Sequence, residues 1–75
     1  MHTTTSFDVA HGVVNWYDSE LGFGFVTPVA GNHDVFVDFS EIVDTPDGEL
    51  QAGSRVSYQA GGTRYWPMAE SVHVL

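Results

Sequence analysis

Cysteine and lysine are both absent from this 75-residue chain, and Arg55 and Arg64 are its only basic residues apart from four histidines. Without cysteine there are no disulfides, thiolate metal centres, iron–sulfur clusters or thiol nucleophiles. No run of about 18 apolar residues is present, so no membrane-spanning helix is expected. The opening Met1-His2-Thr3-Thr4-Thr5-Ser6 lacks the basic start and apolar stretch of a signal peptide. A cytoplasmic protein with no membrane partner is the corresponding expectation. No helical period is sustained along the sequence either.

What is present is acid. Ten Asp and Glu against two Arg give a net charge of −8 with histidine neutral. Charged residues make up only 16% of the chain and hydrophobic ones 43%, which favours a folded domain over an acidic disordered one. At 8.2 kDa there is room for one small domain, of a size that buries roughly 60% of its unfolded surface. A domain this negative is expected to repel phosphate backbones and anionic membranes. The motifs point the other way.

Residues 1–11 are Thr/Ser-rich at their start and read as a flexible N-terminal tail, with the domain proper spanning 12–75. Short β-rich runs follow: Val13-Val14-Asn15-Trp16-Tyr17, Phe23-Gly24-Phe25-Val26, Asp34 to Phe39, Arg55-Val56-Ser57-Tyr58, and Met68 to Leu75. Ser40-Glu41-Ile42 reads as one turn of helix, Asp44 to Glu49 as an acidic loop, and Gly61-Gly62 as the opening of another loop. Five strands at roughly 10-residue spacing predict an all-β fold, a small closed or partly closed antiparallel barrel.

Alternation sends neighbouring side chains of a strand to opposite faces. Phe23 and Phe25 therefore share one face, and Phe36 and Asp38 share the face opposite Val35 and Val37. The aliphatic set supplies a core, leaving phenylalanines where a surface strand would carry polar residues. Trp16 and Tyr17 are adjacent and cannot both point inward unless a bulge intervenes. Rings two residues apart on a strand stand about 6.6 Å apart, close to the spacing of bases in a stretched single strand. Such a row is a stacking platform worth roughly 1–3 kcal/mol per base. A register shifted by one residue would instead make the same rings core.

Gly22-Phe23-Gly24-Phe25-Val26 resembles the first RNA-binding motif of the cold-shock domain family, and Val35-Phe36-Val37-Asp38-Phe39 resembles the second. The resemblance extends through Gly12 to Tyr17, Phe39 to Ile42, Ala52 to Tyr58 and Pro67 to Leu75, and so covers about 12–75. It implies a five-stranded antiparallel OB-type β-barrel that binds single-stranded RNA or DNA. The stacking set it implies is Trp16, Tyr17, Phe23, Phe25, Phe36 and Phe39. Asn15, Asp38, Arg64 and Tyr65 occupy further binding positions of the family pattern. The implied core is Val14, Val26, Val35, Val37, Ile42, Leu50, Val56, Val72 and Val74.

The departures from that pattern share a direction. The lysine usual before the tryptophan is Asn15, and the lysine usual before the first motif is Leu21. The second-motif histidine is Asp38, and a loop Phe-Lys pair falls at Asp47 and Gly48. The basic residue before the late proline is Tyr65, with Arg64 one place earlier as a substitute. The aromatic platform is kept while most of its cations are gone. A carboxylate at Asp38 can only accept hydrogen bonds, which favours bases with exposed donors such as the cytosine amino group, or it is simply a solubilising charge.

Three function classes follow. The first is stacking-driven binding of single-stranded nucleic acid, in the manner of an RNA chaperone or a transcription or translation regulator. The second is an acidic protein-interaction module with a basic protein partner, since exposed rings ringed by acids also describe an interface. On this reading Tyr65 and Trp66 extend the patch; they also suit stacking on bases or packing on the barrel. The third is oligosaccharide binding, which OB barrels also perform. Acid excess without lysine also suits a protein working in concentrated salt, or reflects base composition. Catalysis is not expected: Asp18 and Glu20 sit in one turn, Ser40 has no base beside it, and the four histidines show no ligand spacing, so no metal or cofactor is expected. A monomer or weak homodimer is the expected state.

Overall fold

The computed structural model describes residues 9–31, 33–45 and 47–75. Among them are five strands: β1 Val9–Asp18, β2 Phe23–Pro28, β3 Val35–Asp38, β4 Arg55–Gly62 and β5 Pro67–Val74. A single 3-10 turn, Phe39–Glu41, follows β3. The strands close a barrel in the order β1-β2-β3-β5-β4. β1 is shared, its first half pairing with β4 over Val9–Val13 and its second with β2 over Gly12–Asp18.

Three details differ from the sequence expectation. β1 begins at Val9, so Val9 to His11 belong to a strand paired with β4 and not to a tail; the remainder of the expected tail, 1–8, lies outside the described residues. β4 continues through Gly61 and Gly62, which pair with Met68 and Pro67 where a loop was expected. The seam between β3 and β5 is parallel, while the other four pairings are antiparallel. A parallel pair needs a crossover connection, and here the chain after β3 crosses through the 3-10 turn and an Ile42–Val72 bridge before β4 returns it.

The interior follows the alternation. Val14, Val26, Val35, Val37, Ile42, Leu50, Val56 and Val72 are buried, joined by Tyr58 and Ala69, while Val74 is only partly buried against them. Each fully buried valine contributes about 1.5–3 kcal/mol relative to exposure.

Two bulges set which side chains leave this core. On β1 the register passes from Val14↔Val26 to Trp16↔Phe25, so Asn15 is an extra residue. Were Asn15 paired in regular alternation, Trp16 would share the inward face of Val14; with the bulge Val14 is 1% exposed and Trp16 42%. On β5 the register passes from Ser57↔His73 to Gln59↔Glu70, next to Ser71 at φ 51°. The extra residue lets Ala69 and Val72, three apart, both be buried.

Candidate nucleic-acid interface

β2 and β3 lie side by side with Phe25 opposite Phe36 and Phe23 opposite Asp38. Alternation with buried Val26, Val35 and Val37 turns Phe23, Phe25 and Phe36 outward. The Asn15 bulge brings Trp16 to the same face, directly across from Phe25. Ring centroids stand 5.4 Å apart for Trp16–Phe23, 5.5 Å for Phe23–Phe36 and 5.9 Å for Phe25–Phe36. Trp66 continues the row, 5.7 Å from Phe36. These five rings form one contiguous aromatic surface, with Trp16 and Trp66 the exposed flanks at 42% and 56%.

Gly24 is what allows this layout. A Cβ there would run into the carbonyl oxygen of Trp16 and approach the Tyr17 Cα to 2.7 Å, so the bulged β1 can lie against β2 only over a glycine. Trp66 is placed by a tight turn at the end of the β4–β5 hairpin. Thr63 and Trp66 exchange both backbone hydrogen bonds across Arg64 and Tyr65, and Thr63 Oγ1 accepts from the Tyr65 and Trp66 amides at 3.2 and 3.0 Å. Arg64 and Tyr65 therefore form the tip, with Tyr65 86% exposed and the Arg64 guanidinium 5.8 Å from its ring centroid. An open cleft between this tip and the platform is lined by Phe25, Phe36, Trp66, Arg64, His33 and Asp34.

Asn15 is tied down. Its side-chain amide donates to Asp34 at 2.7 Å, and Thr27 Oγ1 donates to the other oxygen of the same carboxylate at 3.0 Å. The bulge residue is thus held by the segment entering β3.

Tyr17 and Phe39 stand apart from the five rings. Tyr17 follows Trp16, so its ring turns to the opposite side of β1, where it packs against the core edge. Its hydroxyl donates to the Gly48 carbonyl at 3.1 Å. Burial, and after it the carboxylates of Glu49, Asp38 and Asp47, push its pKa above the ordinary phenol value. Phe39 is 60% exposed and lies over Gly22, whose φ of 78° and carbonyl, accepting from the Phe39 amide at 2.9 Å, fix the approach. Both rings line a second open cleft together with Glu20, Asp47 and Glu49.

Asp38 is engaged as a cap. Its Oδ2 accepts from the Ser40 hydroxyl at 2.6 Å and the Ser40 amide at 3.1 Å, bonds that hold its carboxyl below the usual aspartate range. The 3-10 turn that carries Phe39 starts there.

Of the ten candidates from the sequence, four (Trp16, Phe23, Phe25 and Phe36) form the contiguous ring surface. Arg64 borders it at the tip, beside Tyr65. Asn15 supports it, and Tyr17, Asp38 and Phe39 belong to the acidic side. Trp66, which the sequence left open between a protein-contact patch, base stacking and packing on the barrel, makes a ring contact that Tyr65 does not. His33, one of the four histidines without ligand spacing, lines the cleft at the tip.

A family profile described as 'Cold-shock' DNA-binding domain matches residues 10–75. The cold shock-like protein CspA of Bordetella pertussis is 39% identical over 64 residues, covering 85% of this chain and 96% of that protein. A probable cold shock protein A of Mycobacterium tuberculosis is 38% identical over 64 residues, with the same 85% and 96% coverage. The cold shock-like protein CspB of Escherichia coli is 38% identical over 61 residues, 81% of this chain and 86% of that one. Among solved structures, Drosophila Unr CSD456 is similar with a TM-score of 0.79 at 21% identity, over 93% of this chain and 28% of that chain. That likeness concerns the fold; the profile and the relatives concern the sequence, and by them the chain belongs to the cold-shock domain family.

Proposed function

We propose that this protein binds single-stranded RNA or DNA by stacking bases on Trp16, Phe23, Phe25, Phe36 and Trp66. The observation that carries this reading is the contiguity of the five outward rings, with neighbouring centroids 5.4–6.3 Å apart. Stacking contributes about 1–3 kcal/mol per base with little regard to sequence. Of the two arginines, Arg64 lines the cleft beside the rings, so release of counterions from phosphate is slight. Family membership, and the DNA-binding description of the matching profile, support the same reading. A protein that holds strands unpaired in this way acts as a cold-shock-type RNA chaperone or a regulator of transcription or translation; no reaction is assigned to it.

The test is tryptophan fluorescence titrated with a short oligothymidine at low and high salt. The expected result is saturable quenching, with a slope of log affinity against log salt no steeper than about −1. A loss of several orders of magnitude between the two salts overturns the stacking-driven reading. Absence of quenching at both salts overturns nucleic-acid binding. The second reading, a basic protein partner, then takes its place; it is favoured by the three carboxylates around the Tyr17–Phe39 cleft.

A further inference from the structure

The barrel carries two aromatic groups under different fields. The five-ring surface ends at Trp16 and Phe23, and beyond it the next rings are Tyr17 and Phe39. A strand lying along Phe36 and Phe23 would have to pass Asp38, which stands opposite Phe23 across the β2–β3 pair. It would then enter a cleft bordered by Glu20, Asp47 and Glu49. The loop that carries Asp47 and Glu49 is tied to the barrel where the Tyr17 hydroxyl donates to the Gly48 carbonyl at 3.1 Å, and within the loop the Glu49 amide donates to Asp47 Oδ1 at 3.2 Å. The same hydrogen bond engages the polar end of Tyr17. Of these carboxylates Glu49 and Asp47, together with Asp38, act on Tyr17 electrostatically, adding to the burial that raises its pKa. At the opposite end the cleft is lined by the Arg64 guanidinium, and the carboxylate there, Asp34, accepts from Asn15 and Thr27.

We propose that Glu20, Asp47 and Glu49 terminate the nucleic-acid track, so that a bound strand occupies the Trp16-to-Trp66 rings and is turned away from Tyr17 and Phe39 by its phosphates. This rests on the stacking reading above and adds a site size to it. The rings adjoin as a cluster, Trp16, Phe23 and Phe25 in mutual contact and Phe36 touching Phe23, Phe25 and Trp66; at no more than one base per ring they accept at most about four or five nucleotides, the short end of the ~4–16 that OB folds cover. The acids act on the backbone and not on the bases, so the limit is one of length and not of sequence. It is also lifted from either side: by removing the carboxylates or by removing the phosphate charge.

The experiment is affinity against oligothymidine length, from about three to about eight nucleotides, for the wild-type chain and for the variant carrying Glu20→Gln, Asp47→Asn and Glu49→Gln. These changes remove charge with little change of shape, and asparagine keeps an oxygen to accept from the Glu49 amide. For wild type, affinity should climb to about five nucleotides and then stay level within the statistical factor. For the variant, affinity should continue to climb, by about tenfold or more between the five- and eight-nucleotide ligands, as a further base finds Phe39. A methylphosphonate oligothymidine, which has no backbone charge, should show the same continued climb on the wild-type protein. Wild-type affinity that keeps rising to eight nucleotides overturns the length limit and leaves stacking intact. A level profile in the variant and with the uncharged backbone overturns the role of the carboxylates. Absence of binding at every length and with every ligand overturns the stacking reading and this inference together.

Discussion

The ring surface and the acidic cleft lie on one barrel and use the same residue type, yet their environments are opposite. Trp16, Phe23, Phe25, Phe36 and Trp66 touch one another, are partly open to solvent and meet a guanidinium at the hairpin tip. Tyr17 and Phe39 meet carboxylates, and Tyr17 is held by a loop carbonyl. The difference teaches that aromatic content alone does not make a stacking site. On the proposal above, a ring serves as a platform for a polyanion where it adjoins other rings and the nearby carboxylates are already engaged, as Asp34 is by Asn15 and Thr27 and Asp38 by Ser40, and is lost to it where several carboxylates border it with no cation beside them. A single residue, the Asn15 bulge, decides that Trp16 and not Tyr17 joins the first group.

The comparison can be broken most severely at Gly24. Gly24→Ala would drive a methyl into the Trp16 carbonyl and the Tyr17 Cα, separating β1 from β2 at the bulge. A loss of about 3 kcal/mol in urea unfolding is expected, together with loss of oligothymidine quenching. Next in size are the rings themselves. Trp16→Ala and Phe23→Ala should each weaken oligothymidine binding by about 1–3 kcal/mol, whereas Phe39→Ala should change it by under about 0.5 kcal/mol; isothermal titration calorimetry reads all three. Equal losses at Phe23 and Phe39 would erase the distinction between the two groups.

Smaller effects sharpen it. Tyr17→Phe removes the bond to the Gly48 carbonyl and should cost about 1 kcal/mol of stability, with oligothymidine affinity unchanged. The Tyr17 hydroxyl holds its proton more tightly in the folded chain than in the unfolded one. Its contribution to stability is therefore present below the ordinary phenol value and lost as pH rises through the folded value. Asp47→Asn with Glu49→Gln should lower the Tyr17 titration midpoint, read by ultraviolet absorbance. It should not bring it back to the ordinary value, because burial is the larger cause. The smallest effect belongs to Asp38, whose carboxyl titrates below the ordinary aspartate value. The stability from its cap is present above that ordinary value and fades as pH falls through the lowered one. Asp38→Ala should flatten that part of the acid unfolding curve.

The strands were legible in the sequence because alternation at Val35-Phe36-Val37 and Phe23-Gly24-Phe25-Val26 parts valines from rings, and most of the core because the resemblance to the cold-shock domain family put the valines inside where a one-residue register shift would have put the rings. The outward facing of Phe23, Phe25 and Phe36 follows from the same assignment. Bulges were not legible in position, since an extra residue leaves no mark in composition; this hid which of Trp16 and Tyr17 faces outward and the burial of Ala69. Trp66 was left open because its neighbour Phe36 lies across the parallel β3–β5 seam, where Phe36 pairs with Met68. A register of that kind is set by the closed barrel and not by any local signal. Asp38 looked free to meet a base because its partner, Ser40, commits it only once the 3-10 turn has formed.

The most direct test of the central claim is to map backbone amide chemical shifts on adding a short oligothymidine. The shifts should concentrate around Trp16, Phe23, Phe25, Phe36 and Trp66, with those of Phe39 and Gly48 to Glu49 nearly still. Shifts as large at Phe39 and Glu49 as at Phe25 and Trp66 would contradict it.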